Sequence, residues 1–395
     1  MKLVFHRAHP PAGPERDIYV EDGRMVGTSP PGDIPSGWEV VNCAGLWVIP
    51  GLVDLWAHLP SPAEAWREDA DTLSSAALAG GFTTVCTVTK EHRAESLAGR
   101  AAPVRLVPVA AGTHKGHLAE LDALRRAGAI SYEVEADPGL MRRVLEYGEL
   151  PIAVRAEDAS LAHGGVAHES AMSELLGLPG IPAAAEMVAV ARDLLLLKAY
   201  GGRLHFAHLS TAGAVAMVRR AKHAGLPVTA AVPIYNLLLS EEAIRHYDTA
   251  ARLSPPLRSE ADRQALIAGV LDGTIDAIVS NHQAVPAEDK DVPFAEALPG
   301  AVSLEVLLPA ALSVLPADAV LRALVGRCFG LEPEGLVIFD PQAEWEVRSA
   351  DFRSRGRHTP LEGQRLKGRV VGVMDGGGVL HKHAADSIIA TIGGA

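Results

Sequence analysis

Cysteine is scarce in this chain. Its 395 residues hold three, Cys43, Cys86 and Cys328. They are far apart, odd in number and not in Cys-x-x-Cys spacing. That excludes a disulfide framework or a zinc knuckle and points to reduced thiols. Cations are also in short supply. Lys plus Arg total 36 against 48 for Asp plus Glu, a net charge of −12. An acidic chain does not suit nonspecific binding to nucleic acid or to an anionic membrane, and neither partner is expected. Long apolar runs are missing too. Leu194–Leu197 is a short cluster, far below the roughly 20 residues of a spanning helix. The start, Met1-Lys2-Leu3-Val4-Phe5-His6-Arg7, breaks its apolar run at once and does not read as a signal peptide. The expected location is the cytoplasm.

What is present is an ordinary globular composition, 48% apolar and 21% charged, which excludes general disorder. The length suits a large barrel plus a smaller unit. There are 16 histidines, enough to raise the question of metal chemistry position by position.

Residues 1–49 read as short strands and turns. Asp17–Val20 and Met25–Gly27 flank the turn Glu21-Asp22-Gly23-Arg24, a hairpin signal. A β-rich passage returns at Gly335–Phe339, Trp345–Val347 and Lys367–Val373. The two ends are expected to pair into one small β domain, residues 1–49 with 336–395. Between them, residues 50–335 alternate short apolar runs with Ala/Leu/Arg-rich stretches. The runs 83–88, 104–109, 151–154, 204–208, 228–232 and 275–279 predict buried parallel strands. Helices are predicted over 64–80, 117–127, 138–149, 182–200, 212–224 and 259–272. The pattern predicts an α/β fold, a (β/α)8 TIM-like barrel, with chemistry at the C-terminal ends of its strands.

Pro50-Gly51-Leu52-Val53-Asp54-Leu55-Trp56-Ala57-His58-Leu59 resembles the first-strand motif of the amidohydrolase superfamily, Asp-x-His-x-His. Other segments narrow the resemblance to dihydroorotases: Gly80–Val85, Leu178–Pro182, His208-Leu209-Ser210-Thr211-Ala212-Gly213, Pro255–Arg258, Asp272–Asp276, Pro360–Gly363 and Lys367–Val370. They run in family order from about 50 to 372. The resemblance implies a metal-dependent amidohydrolase barrel with a small β domain built from both chain ends. The family closes carbamoyl aspartate to dihydroorotate and reopens it. A metal-bound hydroxide attacks the ring carbonyl and an Asp moves the proton.

Carried over residue by residue, that chemistry loses most of its parts. Trp56 stands where the first His belongs, and an indole offers no lone pair to a metal. Arg155 replaces the His of a His-Ala-Glu-Asp run and brings a permanent cation. Asn281 replaces the catalytic Asp and cannot act as a base. His58 and His208 survive as weak metal candidates. No bridging ligand is matched near Ser131–Glu135. On the substrate side Pro60 stands in place of the clamping Arg, Lys90 in place of an Asn, and Pro233-Ile234-Tyr235-Asn236 in place of a Pro-His-His run. His282 keeps its place in the former substrate site.

The expectation is a dihydroorotase-like protein of pyrimidine biosynthesis, non-catalytic, with no confident catalytic residue and no metal cofactor. By family analogy it partners aspartate transcarbamoylase and forms a homo-oligomer. The alternative is a cyclic amidohydrolase with a mononuclear zinc site, drawing on His58, His208, His282 and a carboxylate from Glu133, Glu135 or Asp158. A third possibility is a binding module in which Arg155 holds an anion or pairs with Asp158. The plain structural roles are Trp56 filling the barrel mouth, Arg155 in a local ion pair, His58 and His208 hydrogen-bonded to neighbours, and His6, His9, His114, His117, His163, His168, His358, His381 and His383 on surfaces or loops.

Overall fold

The computed structural model describes residues 2–89, 103–134, 137–382 and 391–392. Eight parallel strands form the main sheet: β1 (Leu52–His58), β2 (Phe82–Thr89), β3 (Arg105–Ala111), β4 (Ser131–Glu133), β5 (Ile152–Val154), β6 (Leu204–Phe206), β7 (Val228–Pro233) and β8 (Ala277–Val279), neighbours in that order. The sheet curls until its two edges meet. There the Asp54 carboxylate accepts from the Ser280 amide (2.8 Å) and hydroxyl (2.5 Å), and the His58 amide donates to the His282 carbonyl (2.9 Å). A side-chain stitch thus continues the ladder where strand pairing is thin.

The strands are short and apolar because both faces are covered. The inner face packs Val53, Leu55, Trp56, Val88, Val107 and Val109 against Ala153, Ala207, Ala231 and Ala277. The outer face packs against helices including Ala70–Ala79, Ala183–Tyr200, Ala212–His223 and Glu260–Leu271. The register of β1 shifts between Asp54 and Ala57. Such a bulge re-aims side chains, and the adjacent residues Leu55 and Trp56 both join the inner cluster.

The chain ends build the small β unit. Trp47–Pro50 pairs antiparallel with Leu336–Glu346, Leu336 opposite Pro50, and Leu336–Glu346 pairs onward with Arg365–Met374. In the second sheet Thr391–Ile392 lies against Glu39–Asn42, beside Lys2–Ala8. Leu3, Phe5, Val41 and Val48 share one core with Ile338, Val371 and Met374. The predicted hairpin forms with Asp22 and Gly23 at φ 48° and 77°. This is the positive-φ pair that matches strand twist.

Two predicted helices are shorter than expected. That over 64–80 starts only at Ala70, because Asp69 caps it by accepting from Asp71 and Thr72 amides (3.0 and 2.9 Å), with a separate 3-10 turn at Pro62–Glu64. That over 117–127 is reduced to Leu121–Arg126. Residues 117–118 instead pair with 113–114 across Lys115-Gly116, at φ 49° and 77°. None of the helices among the described residues is long and apolar enough to cross a membrane.

Glu305 lies at the seam between barrel and β unit. Its carboxylate accepts from the Arg353 amide (2.7 and 3.0 Å) and the Ser354 amide (3.1 Å). Burial outweighs those bonds and pushes its pKa from 4.5 up to about 7. The folded value lies above the ordinary one, so this contribution to stability is complete below about pH 4.5 and is lost as pH rises through about 7. Glu305→Gln is expected to flatten the stability profile across that window. Urea unfolding at several pH values checks this, and parallel profiles would contradict it.

Candidate functional site

A cavity of about 560 Å³ opens at the C-terminal ends of the strands, where barrel enzymes keep their chemistry. Ala111 comes from the end of β3, Glu133 from β4, Arg155 and Glu157 from the segment after β5, and His208 from the segment after β6. Thr113, His114 and Lys115 overhang it from the short hairpin, and Ser254 and Pro255 close another side.

One hydrogen-bonded frame holds the wall that carries His208. Glu186, buried on helix Ala183–Tyr200, accepts from the Ser210 amide (3.0 and 3.1 Å), the Thr211 amide (3.0 Å), the Thr211 hydroxyl (2.9 Å) and the Ser210 hydroxyl. Arg258 donates to Ser210 Oγ (3.2 Å), the Ile181 carbonyl (2.6 Å) and His168 Nδ1 (3.1 Å). The Leu178–Pro182, His208–Gly213 and Pro255–Arg258 runs are therefore parts of one scaffold around the cavity. His168, expected on a surface or loop, belongs to it.

The structure brings Trp56, Arg155, His208 and Asn281 together around this cavity, with His58 close enough to act on His208, and leaves His282 apart. Trp56 is 0% exposed and lies inside the barrel, its ring edge-on to His208 at 5.1 Å between centroids. Its Nε1 has no hydrogen-bond partner. His208 is 4% exposed, and neither of its ring nitrogens has a partner. Burial holds its pKa well below the ordinary value, and Arg155, His58 and His205 push the same way. Arg155 stays 49% exposed on its side chain and faces Glu133, Nε to Oε1 3.5 Å. An ion pair this open is worth about 0–1 kcal/mol. Asp158 is engaged elsewhere, accepting from the Ser160 and Leu161 amides (3.0 and 3.1 Å).

Asn281 sits at φ 47° and donates from its amide to the Ser254 carbonyl (2.9 Å). Pro60 is half-buried in the turn after β1, with nothing to donate. Lys90 and Glu135 lie outside the described residues. His282, expected in the former substrate site, is fully buried behind the barrel wall. The Ser303 and Leu304 amides donate to its Nδ1 (3.2 and 3.3 Å). The network therefore assigns the proton to Nε2, which faces Ser354 Oγ (3.2 Å) and Glu68 Oε2 (3.4 Å). The His282 ring ties three loops together and is committed to that task. His114, expected on a surface or loop, overhangs the cavity.

Sequence reasoning passed over Glu157, Glu186 and Lys115. Burial raises the Glu157 carboxyl above its ordinary pKa, against the pull of Arg258 and Arg155. Glu157 stands two residues after Arg155 and offered a local signal. Glu186 offered none, because its partners are 24 and 25 residues away.

A metal pair does not fit this arrangement. A metal site needs several N, O or S donors converging at about 2 Å. Here an indole and a guanidinium occupy two of the donor positions. Among the described residues no group of three His, Cys, Asp or Glu side chains is placed to hold an ion.

A strand-order barrel with a two-ended β unit is the amidohydrolase fold. L-hydantoinase (dihydropyrimidinase) from Arthrobacter aurescens superposes with a TM-score of 0.83 at 23% identity, over 96% of this chain and 95% of that one. D-hydantoinase (dihydropyrimidinase) from Thermus sp. gives 0.80 at 19%, over 98% and 97%. These likenesses define the fold. Sequence defines the family. Residues 45–214 match the dihydro-orotase-like model. The dihydroorotase of Anaeromyxobacter sp. (strain K) is 38% identical, covering 93% of this chain and 94% of its own. That of Pelotomaculum thermopropionicum is also 38% identical, at 93% and 94%. The chain belongs to the dihydroorotase-like family of cyclic amidohydrolases.

Proposed function

We propose that this chain is a non-catalytic dihydroorotase homologue of pyrimidine biosynthesis. It works in the cytoplasm as a homo-oligomeric structural partner of aspartate transcarbamoylase. The observation that carries the first part is the content of the former metal site. Trp56 fills the barrel interior, Arg155 places a cation at a donor position, and Asn281 spends its amide on the Ser254 carbonyl. None of the three side chains can polarise a carbonyl through a metal or take a proton. The scaffold around them is intact, which suits a partner role that needs surfaces and no chemistry. The assignment of aspartate transcarbamoylase rests on family analogy.

One observation favours a one-metal hydrolase instead: His208 keeps two unpartnered nitrogens. Among the described residues His208 is not joined by two further His, Cys, Asp or Glu side chains placed to hold an ion, which is too few donors for a stable zinc site. The test has two arms. Ring opening of dihydroorotate by the zinc-equilibrated protein is expected to stay at background. Mixing with the transcarbamoylase is expected to give one earlier-eluting species on sizing. Turnover would overturn the non-catalytic assignment, and separate peaks would overturn the partnership.

A further inference from the structure

Another cavity, of about 310 Å³, lies away from the barrel mouth, at the seam where the small β unit meets the barrel. That is the lower end of the range for small-molecule sites, about 300–1,000 Å³. Trp345 and Glu346 reach it from strand Leu336–Glu346, Arg369 from the facing strand Arg365–Met374, and Arg353 from the connection between the two. Glu305 supplies the barrel side.

The cations of this cavity are unevenly satisfied. Arg348 faces Glu346, Nη2 to Oε2 3.3 Å, and Asp351 acts on the same guanidinium. Arg353 and Arg369 differ from it. Among the described residues neither of their guanidinium groups makes a hydrogen bond or an ion pair. Arg369 lies over the Trp345 ring, 5.5 Å from its centroid, and Arg353 is near enough to Glu305 to favour its charged form. Two guanidinium groups lining one recess repel each other, and an anion held between them removes that repulsion.

The rest of the wall suits a flat ring and a hydroxyl. Trp345 Nε1 donates to the Gly368 carbonyl (2.9 Å), which fixes the indole. A ring already held in place loses little freedom when a ligand stacks on it. Glu305 is also fixed. Its Oε1 accepts from the Arg353 and Ser354 amides (2.7 and 3.1 Å), and its Oε2 accepts from the Arg353 amide alone (3.0 Å). Each carboxylate oxygen can accept two hydrogen bonds. Oε2 therefore keeps a place for a hydroxyl, the kind of bond by which carboxylates grip ribose.

We propose that this seam cavity binds a nucleoside monophosphate. Arg353 and Arg369 hold the phosphate, the base lies against Trp345, and Glu305 accepts from a sugar hydroxyl. Stacking of this kind tolerates any base, because every base offers a π face. The site is separate from the barrel mouth and does not depend on whether the mouth holds a metal.

Calorimetric titration of the full-length protein with adenosine 5′-monophosphate, adenosine and inorganic phosphate tests it. The monophosphate is expected to bind about 10-fold more tightly than either of the others. Arg353→Gln is expected to weaken its binding about 10-fold at an unchanged unfolding midpoint. Arg353→Lys is expected to recover part of that loss, since it returns the charge without the planar fork. Arg155→Gln, in the barrel mouth, is expected to leave the affinity unchanged. Adenosine or phosphate binding as tightly as the monophosphate, no binding of any probe, or indifference to Arg353→Gln would overturn the proposal. Loss of binding on Arg155→Gln would put the nucleotide in the barrel mouth and overturn it as well.

Discussion

Trp56→Ala is expected to destabilise the protein by about 3–5 kcal/mol, the range for deleting a buried large aromatic side chain. The neighbours of Trp56 inside the barrel include Ala153, Ala207, Ala231 and Ala277. Four alanines leave room that only a large side chain fills, and strands fixed in a closed sheet cannot collapse onto the space. Trp56→Phe keeps most of the apolar volume and is expected to cost less than half as much. Urea unfolding measures both. A loss below about 1 kcal/mol for the alanine variant would contradict the assignment of Trp56 as a core plug. By the same geometry, restoring a histidine at position 56 alone is not expected to create a metal site. The substitution opens a cavity and adds a polar ring, while Arg155 and Asn281 still stand at the other positions. Trp56→His, Arg155→His and Asn281→Asp together are therefore not expected to yield robust ring opening.

Glu186→Ala is expected to cost a similar amount, about 3–5 kcal/mol, by a different route. Glu186 receives the amides and hydroxyls of both Ser210 and Thr211. Truncation leaves those buried donors without acceptors, and it frees the segment that carries His208. Glu186→Gln retains one acceptor oxygen and is expected to recover part of the loss. Hydrogen exchange at the Ser210 and Thr211 amides should accelerate in both variants, more in the alanine form. Unchanged protection would mean that other contacts hold the wall.

Much of the fold was legible because its signals are local. Apolar runs marked six of the seven barrel strands other than β1, and β1 itself was carried by the first-strand motif. Helix Ala183–Tyr200 begins one residue after the predicted start, at Pro182, which serves as its cap. The β4 strand, Ser131–Glu133, was not counted as a strand. Its residues, Ser-Tyr-Glu, give no apolar run of the kind that marked the equally short β5, β6 and β8. The start of the helical pattern over 117–127 gave way to the hairpin with its positive-φ turn at Lys115-Gly116, leaving helix Leu121–Arg126.

The site was less legible because its contacts are long-range. Trp56, Arg155 and Asn281 could be named from motif positions, but their partners could not. Arg155 meets Glu133 on the neighbouring strand rather than Asp158 in its own segment. His282 looked like a mouth residue in its motif. It is instead held by Glu68, 214 residues earlier, and Ser354, 72 residues later. Spacing along the chain carries no trace of such a pairing.

The non-catalytic proposal requires that the residues of the barrel mouth hold no metal. Metal content measured by mass spectrometry tests it most directly. The protein is purified without chelator, equilibrated with excess zinc, and freed of unbound ion by gel filtration. The arrangement of Trp56, Arg155 and His208 predicts far less than one zinc per chain. One or two tightly held zinc ions per chain, lost on His208→Ala, would contradict it.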